Sequence, residues 1–373
     1  MAIIPFEKIE PKWKVIRISG QSPLEKTFDM GTYPLSIPIG WSGKDDVKDL
    51  ISKNQEVSVL PSNRDPKKLT VAILTGTTAM IRATGARMEE NGMTYPGIDI
   101  QNWLRDADIT HISNEASFDP NCAHADFQKE TEIFCSRPEY LELLSFVGTD
   151  IVELTGNHLM DYGWKALNYS IDLYTQNNIK YYGGGKNTED SQKVLKIEHN
   201  GNKLAFIGCN AAGPNYVWAT ETQPGAAECD LTKIGKEIDT LTRDGYLPIV
   251  TFQHFESYGF LPGIEQKQDF ETISKAGAVI VSGSQAHFPQ IMQFTDDNSF
   301  IHYGLGNLFF DQMDFPVPGT RREFIDRHVF YNGKYINTEL LTAMLEDYSR
   351  PRPMYVEERA NLLKDIFEAG TWE

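Results

Sequence analysis

From Leu69 onward, short apolar runs alternate with stretches whose apolar residues recur at helical spacing. Val71–Leu74 ends in Thr75-Gly76, Ile109–Ser113 in Asn114-Glu115, and Ile151–Leu154 in Thr155-Gly156. Leu204–Ile207, Leu247–Phe252 and Ala278–Val281 continue the series. Short apolar runs bounded by turn residues read as buried parallel strands. Tyr140–Val147, Trp164–Gln176, Leu231–Arg243 and Gln266–Ala276 read as amphipathic helices. Turns at Asn200-Gly201 and Asp296-Asp297-Asn298 mark hairpins. Strands alternating with helices, interrupted by hairpins, predict an α/β sandwich of mixed sheets. The first 65 residues break this rhythm. There Trp13–Ile18 alternates like a strand, polar loops follow, and Pro61–Pro66 reads as a linker. Near the other end, Arg350-Pro351-Arg352-Pro353 reads as an extended strap whose basic residues face solvent.

Composition narrows the picture. Thirty-five Lys and Arg against 52 Asp and Glu leave a net charge of −17 over 373 residues, with 40% hydrophobic positions. That is enough apolar material for a substantial core. The charge opposes broad binding to nucleic acid or anionic lipid, while a local basic pocket stays compatible with it. No run of about 18 apolar residues predicts a membrane span. The start, Met1–Glu7, lacks the cationic and apolar regions of a signal peptide. The expectation is a cytosolic protein, or a chain beginning after a removed leader. Cys122, Cys135, Cys209 and Cys229 show no C-x-x-C spacing. They read either as buried thiols or as two local bridges, Cys122–Cys135 and Cys209–Cys229, and four cysteines permit three pairings.

In open α/β sheets, ligands bind beyond the carboxyl ends of the strands. Those ends carry Thr75-Gly76-Thr77-Thr78 with Arg82, Asn114-Glu115, and Thr155-Gly156-Asn157-His158 with Asp161 and Gly163. Later ends carry Gln253-His254-Phe255-Glu256, Gly283-Ser284-Gln285-Ala286-His287, and Tyr303-Gly304-Leu305-Gly306-Asn307 with Asp311. Singly, each has a local explanation: a capped turn, a helix cap at Asp161, a half-buried His254, a tight glycine turn. At successive strand ends they favour one shared pocket.

Several of these motifs, with Gly183-Gly184-Gly185, His287 and the segment Tyr303–Gln312, resemble in order those of the CapA family of poly-γ-glutamate capsule biosynthesis proteins. The resemblance covers roughly residues 69–315. It implies a four-layer α/β/β/α sandwich of the calcineurin-like metallophosphoesterase type. Residues 1–65 would form an N-terminal appendage, 66–315 the sandwich domain, and 316–373 a C-terminal extension packing on the core. It also implies the ectodomain of an extracytoplasmic, membrane-tethered protein, its anchor removed. That oxidising setting favours the two disulfides.

The sequence departs from the family pattern at metal-binding positions. Gly76-Thr77 stands where the family usually has Gly-Asp, and Gln253-His254-Phe255 where it has His-Trp-Gly. Gly283-Ser284-Gln285-Ala286-His287 replaces Gly-His-His-Pro-His. Two-metal centres need carboxylates and imidazoles, and neutral hydroxyls and amides are weaker ligands. The remaining candidate ligands are Glu115, Asn157, His158, His254, Glu256 and His287. They are expected to hold one zinc or manganese ion at most. Three functions remain in view. The first is a hydrolase or transferase acting on an amide or phosphoester in surface-polymer synthesis. In it, His158 or His287 serves as general acid or base beside Glu115 or Glu256. Thr77, Arg82, Asn114, Asn157, Asp161, Gln253, Gln285 and Asn307 would contact substrate, with the Arg82 fork taking a carboxylate or phosphate. The second is a non-catalytic module binding a small anionic ligand, a surface polymer or a partner protein. The third is a metal-dependent phosphoesterase using His254.

Overall fold

The structure, a computed structural model, describes residues 1–38, 44–45, 62–128, 131–295 and 298–370. Its strands in chain order are β1 (Leu69–Thr75), β2 (Thr77–Thr78), β3 (Ile109–Asn114), β4 (Ile151–Glu153), β5 (Lys180–Tyr182), β6 (Gly184–Gly185), β7 (Leu195–His199) and β8 (Asn202–Asn210). They continue with β9 (Gly225–Ala226), β10 (Leu247–Gln253), β11 (Ile280–Ser284), β12 (Met292–Phe294), β13 (Phe300–His302), β14 (Arg322–Tyr331), β15 (Lys334–Glu346) and β16 (Arg350–Pro353). The helices are α1 (Arg82–Asn91), α2 (Gln101–Arg105), α3 (Leu141–Phe146), α4 (Gly163–Gln176), α5 (Thr188–Ser191), α6 (Leu231–Arg243), α7 (Ile264–Lys275) and α8 (Val356–Ala369).

Two mixed sheets carry the fold. The eight-stranded sheet runs β16-β15-β14-β1-β3-β4-β5, with β2 beside β3. Its β1, β3, β4 and β5 are parallel, and β14 to β16 are antiparallel. The six-stranded sheet runs β12-β13-β11-β10-β8-β7, parallel in the middle and antiparallel at both edges.

Side-chain alternation explains the layers. Every residue of β1 is buried, because both of its faces are covered. Ile73 joins the apolar cluster beneath α1 to α4, whereas Ala72 and Leu74 join the cluster between the two sheets. On the far side of the second sheet, Ile234, Ile238 and Leu241 of α6 and Phe270 and Ile273 of α7 pack on Val250, Phe252 and Val281. Helix, sheet, sheet, helix is therefore the layer order, as the family resemblance implies. Asp230 caps α6 by accepting from the Lys233 amide at 2.9 Å.

At the N-terminus, Phe6, Ile9 and Leu24 cover Leu69, Val329, Tyr331 and Ile336. The buried Arg64 donates to the Pro23 and Glu25 carbonyls and lies over Phe6 and Phe28. Trp13–Ile18 is not the strand its alternation suggests. Among the described residues only Ile18 of this run pairs, with Gln21 across a turn, and no strand of theirs lies alongside it. The hairpin at Asn200-Gly201 joins β7 to β8. Asp296 and Asp297 lie outside the described residues, although the flanking β12 and β13 pair antiparallel. Cys122–Cys135 and Cys209–Cys229 are both bridged, with Cα separations of 5.8 Å and 5.0 Å.

Candidate functional site

The carboxyl ends of β1 and β3 meet those of β10, β11 and β13 through a backbone seam. The Thr77 amide donates to the Gly306 carbonyl at 3.0 Å, and the Leu308 amide donates to the Thr77 carbonyl at 2.8 Å. The Thr77 hydroxyl accepts from the Gln285 amide at 3.1 Å, so it fastens one sheet to the other. Gly76 permits this approach: a Cβ there would lie 2.0 Å from the Gly306 carbonyl oxygen. Gly156 does the same below Glu115, whose Cα would be 2.4 Å from an added Cβ.

Glu115 follows β3, its amide bound to the Thr78 carbonyl at 3.0 Å. Its side chain is buried, and among the described residues neither carboxylate oxygen has a hydrogen-bond partner. Burial pushes this carboxyl up to about 7, against the pull of the His158 and Arg82 charges. Those charges, with Glu256 and Asp161, are its electrostatic neighbours.

His158 is half-buried, with Nδ1 2.7 Å from Asp161 Oδ2. A carboxylate accepts, so Nδ1 carries the proton and Nε2 is left for another partner. The same Asp161 oxygen accepts from the Phe134 amide at 2.8 Å, and the Phe134 ring stacks on the imidazole at 3.7 Å and 22°. Burial works against the charged imidazole, but the Asp161 bond and the Glu115 charge outweigh it and raise His158 from its ordinary value.

His287 is set the other way. Its Nδ1 is 2.8 Å from Asn307 Oδ1, while Asn307 Nδ2 faces the carbonyls of His287 and Thr320 and the Gln312 oxygen. Those acceptors fix the amide orientation, so His287 Nδ1 donates and Nε2 keeps its lone pair. Burial, with the nearby His158 and Arg82 charges, lowers His287 to about 4. The site thus holds one imidazole that favours its proton and one that refuses it.

A chain of amides links the loop bearing His158 to the loop bearing His287. Gln253 Nε2 donates to Asn157 Oδ1 at 3.1 Å and to Gln285 Oε1, and Ser284 Oγ donates to Gln253 Oε1 at 3.0 Å. The exposed Glu256 accepts from the Tyr258 hydroxyl, which accepts in turn from Gln312 Nε2 at 3.3 Å.

Three candidate residues have other occupations. The Arg82 guanidinium makes a two-pronged bond to Asp311, at 3.1 Å from Nε and 2.5 Å from Nη2, and donates from Nη1 to the Thr131 carbonyl. Its fork is filled from within the protein. Asn114 turns away to donate to the Ala116 carbonyl and the Tyr174 hydroxyl of α4. His254 pairs with Asp269 of α7, 3.1 Å away, and packs against Phe255 and Phe270. Asp311, Phe134, Phe310, Tyr258 and Gln312 join the site without having been singled out as site residues. Asp311 and Gln312 carry a sequence signal, in the motif after β13, whereas Phe134 carries none beyond its place before Cys135.

The donor set does not fit a two-metal centre. Thr77, Gln253 and Gln285 are neutral and already bonded, and His254 is held by Asp269. Among the described residues, no group of three or more His, Cys, Asp or Glu side chains is arranged to hold a metal ion.

The family described as "Bacterial capsule synthesis protein PGA_cap" matches residues 71–312. The chain is 28% identical over 183 residues to the capsule biosynthesis protein CapA of Bacillus anthracis, covering 48% of this chain and 44% of that one. It is 24% identical over 205 residues to the PGA biosynthesis protein CapA of Bacillus subtilis strain 168, covering 54% and 52%. The chain spans about half the length of the curated relatives it matches. Among solved structures, a 5′-nucleotidase precursor from Thermus thermophilus superposes with a TM-score of 0.42 at 10% identity, covering 81% of this chain and 59% of that one.

Proposed function

The chain belongs to the bacterial capsule synthesis family PGA_cap, and from that membership we propose that it cleaves or transfers an amide bond of a capsular polymer by acid–base catalysis. The observation that supports this most is Glu115: a buried carboxyl, unpartnered among the described residues, whose proton comes off near neutral pH beside an imidazole whose own proton Asp161 and Glu115 help to hold. Catalytic groups are tuned in this way, by environments that push their pKa values toward the working pH.

The roles follow from protonation. Glu115 as carboxylate takes a proton from water or an acceptor amine as the new bond to the carbonyl carbon forms. His158, its Nδ1–H held by Asp161, gives its Nε2 proton to the departing nitrogen as the C–N bond breaks. His287 offers a bare Nε2 as acceptor, and the amides of Gln253, Gln285 and Asn157 match the donors and acceptors of a peptide-like chain. An amide suits these side chains better than a phosphoester, because Arg82 is already paired to Asp311. Poly-γ-glutamate, the polymer that the resemblance implies, has such amides. The family and both disulfides support an extracytoplasmic setting, where bridges persist. A membrane tether is part of that reading.

Incubation with γ-glutamyl oligomers, followed by mass spectrometry, should show shortened or transferred chains. Glu115→Gln and His158→Ala should each lower turnover by roughly 10²-fold or more. Unchanged turnover in both variants overturns the reading. The neutral residues at the former metal positions favour a second reading, a module that binds the polymer without cutting it. Oligomer binding with intact product masses would support that instead.

A further inference from the structure

We infer that Phe134 is the positioning residue of the His158 imidazole, and that the Cys122–Cys135 disulfide holds Phe134 in that position. Its kinetic arm rests on the acid–base reading above; its spectroscopic arm does not.

Phe134 touches both halves of the His158–Asp161 pair. Its ring covers the imidazole face at 3.7 Å, and its amide donates to the Asp161 oxygen that receives His158 Nδ1. Losing that amide contact would free the carboxylate to turn, and losing the ring would free the imidazole. The ring is also one end of an aromatic row. The Arg82 guanidinium lies 5.1 Å from both Phe134 and Phe310, and Phe310 stacks on His287 at 5.0 Å and 21°. A shift of Phe134 would therefore reach both imidazoles.

Phe134 is buried with Ala79, Ile81, Ala116 and Phe310, and Ser136 beyond it bonds to Ser117, Asp119 and Met80. The bridge adds a covalent tie to a segment that lacks regular structure. Among the described residues between Phe118 and Pro138 there is no helix or named strand, only the Phe118–Ser136 bridge. Phe134 directly precedes Cys135, whose partner lies 13 positions back. Cys122 is itself buried and fixed, its amide bound to the Asp119 carbonyl and its carbonyl to Arg137. The covalent bond thus ties the His158-covering residue to a point set by the core. Cys135 is partly exposed. A dithiol reductant would reach it by thiolate attack on one sulfur. Two electrons and two protons convert the bridge to two thiols while the reductant becomes a disulfide.

The test compares four variants of the full chain: Phe134→Leu, Phe134→Tyr, Cys122→Ser with Cys135→Ser, and Cys209→Ser with Cys229→Ser. The readouts are the hydrogen-bonded His158 Nδ1–H proton by NMR, assigned with His158→Gln, the pH–rate profile, and kcat and KM separately. Phe134→Leu and the Cys122/Cys135 variant should broaden or lose the Nδ1–H signal. They should lower kcat by about ten-fold or more, with KM within about two-fold. Phe134→Tyr, which keeps the ring, should behave as wild type, as should the Cys209/Cys229 variant. Phe134→Leu keeps both bridges, so it reads positioning even if removal of a bridge prevents folding. A wild-type Nδ1–H signal in Phe134→Leu overturns the inference, whatever the activity. So does equal loss in the two cysteine variants. If His158→Ala is fully active while the signal still depends on Phe134, the acid–base reading fails and the positioning stands.

Discussion

A carboxyl group that receives no donors keeps its proton to a higher pH than one in water, and Glu115 shows what this implies for stability. Its folded value, about 7, lies above its ordinary 4.5. Between those values the folded state holds a proton that the unfolded state has released. Stability is then fully present below pH 4.5 and falls as pH rises through 7. The penalty at pH 8 is at most about 3 kcal/mol. Glu115→Gln removes the ionisation and keeps the shape. Denaturant unfolding should show the variant more stable than wild type at pH 8 and equal to it at pH 4. The same difference at both pH values would mean that Glu115 does not titrate in this window. Arg82 makes the opposite point. An arginine just beyond a strand end reads as an anion receptor, yet its guanidinium closes on Asp311. That aspartate also accepts from the Ala83 amide at the start of α1, so the pair anchors a helix terminus.

At the scale of elements, polar groups join the two sheets as well as apolar ones. His302 of β13 and Asp326 of β14 are fully buried, 2.6 Å apart, and link one sheet to the other. His328, two residues along β14, faces Asp326, His302 and His111, and bonds through Nδ1 to the Thr338 hydroxyl at 2.7 Å. Burial first, then the neighbouring imidazoles, lower it to about 4 against the pull of Asp326. His287 is lowered to the same value. Both are depressed in the folded state, so their stabilisation is present above pH 6.5 and lost as pH falls towards 4. Each contributes up to about 3 kcal/mol across that window. The two histidines should pull unfolding free energy down over pH 6.5 to 4, against the rise that Glu115 contributes in the same window, and His328→Phe should remove its share of that pull. An unchanged slope in that variant would refute the assignment. The elements differ in how plainly the chain announces them. Leu231–Arg243 is legible because one apolar stripe and Asp230 agree, and β1, β3 and β10 because their turn residues bound them. Trp13–Ile18 misleads, since alternation shows a side-chain pattern but not whether a partner strand exists. Arg350–Pro353, extended as its prolines suggest, is the paired strand β16, with Arg350 paired to Asp99 and Arg352 to Glu346 and Glu358 rather than facing solvent. The antiparallel β14 and β15 escape notice for the converse reason. Glu323, Asp326, Arg327 and His328 look like surface positions until burial between layers is known. Glu115, His158 and His287 are readable from strand-end motifs. Phe134 is not, because its role comes from a bridge and a stacking contact that no spacing encodes.

For the molecule as a whole, a net charge of −17 must be reconciled with membership in a capsule synthesis family. An anionic oligomer approaching this surface would meet long-range repulsion, and the strand-end residues do little to offset it, because Arg82 is paired to Asp311 and Glu256 is an exposed carboxylate. Under the proposed function, recognition of such an oligomer would rest on short-range amide contacts, made only after the repulsion has been overcome. Salt separates the two stages. Raising ionic strength shortens the screening length from about 30 Å at 0.01 M to about 8 Å at 0.15 M. It weakens the approach barrier while leaving buried hydrogen bonds nearly untouched. Association with a γ-glutamyl oligomer should therefore speed up with salt, opposite to the usual steering of a polyanion by a basic groove, while dissociation changes little. Stopped-flow or surface-binding kinetics across that salt range would measure both rates. An association rate that falls with salt would reveal a cationic face presented to the polymer, and would remove the two-stage account.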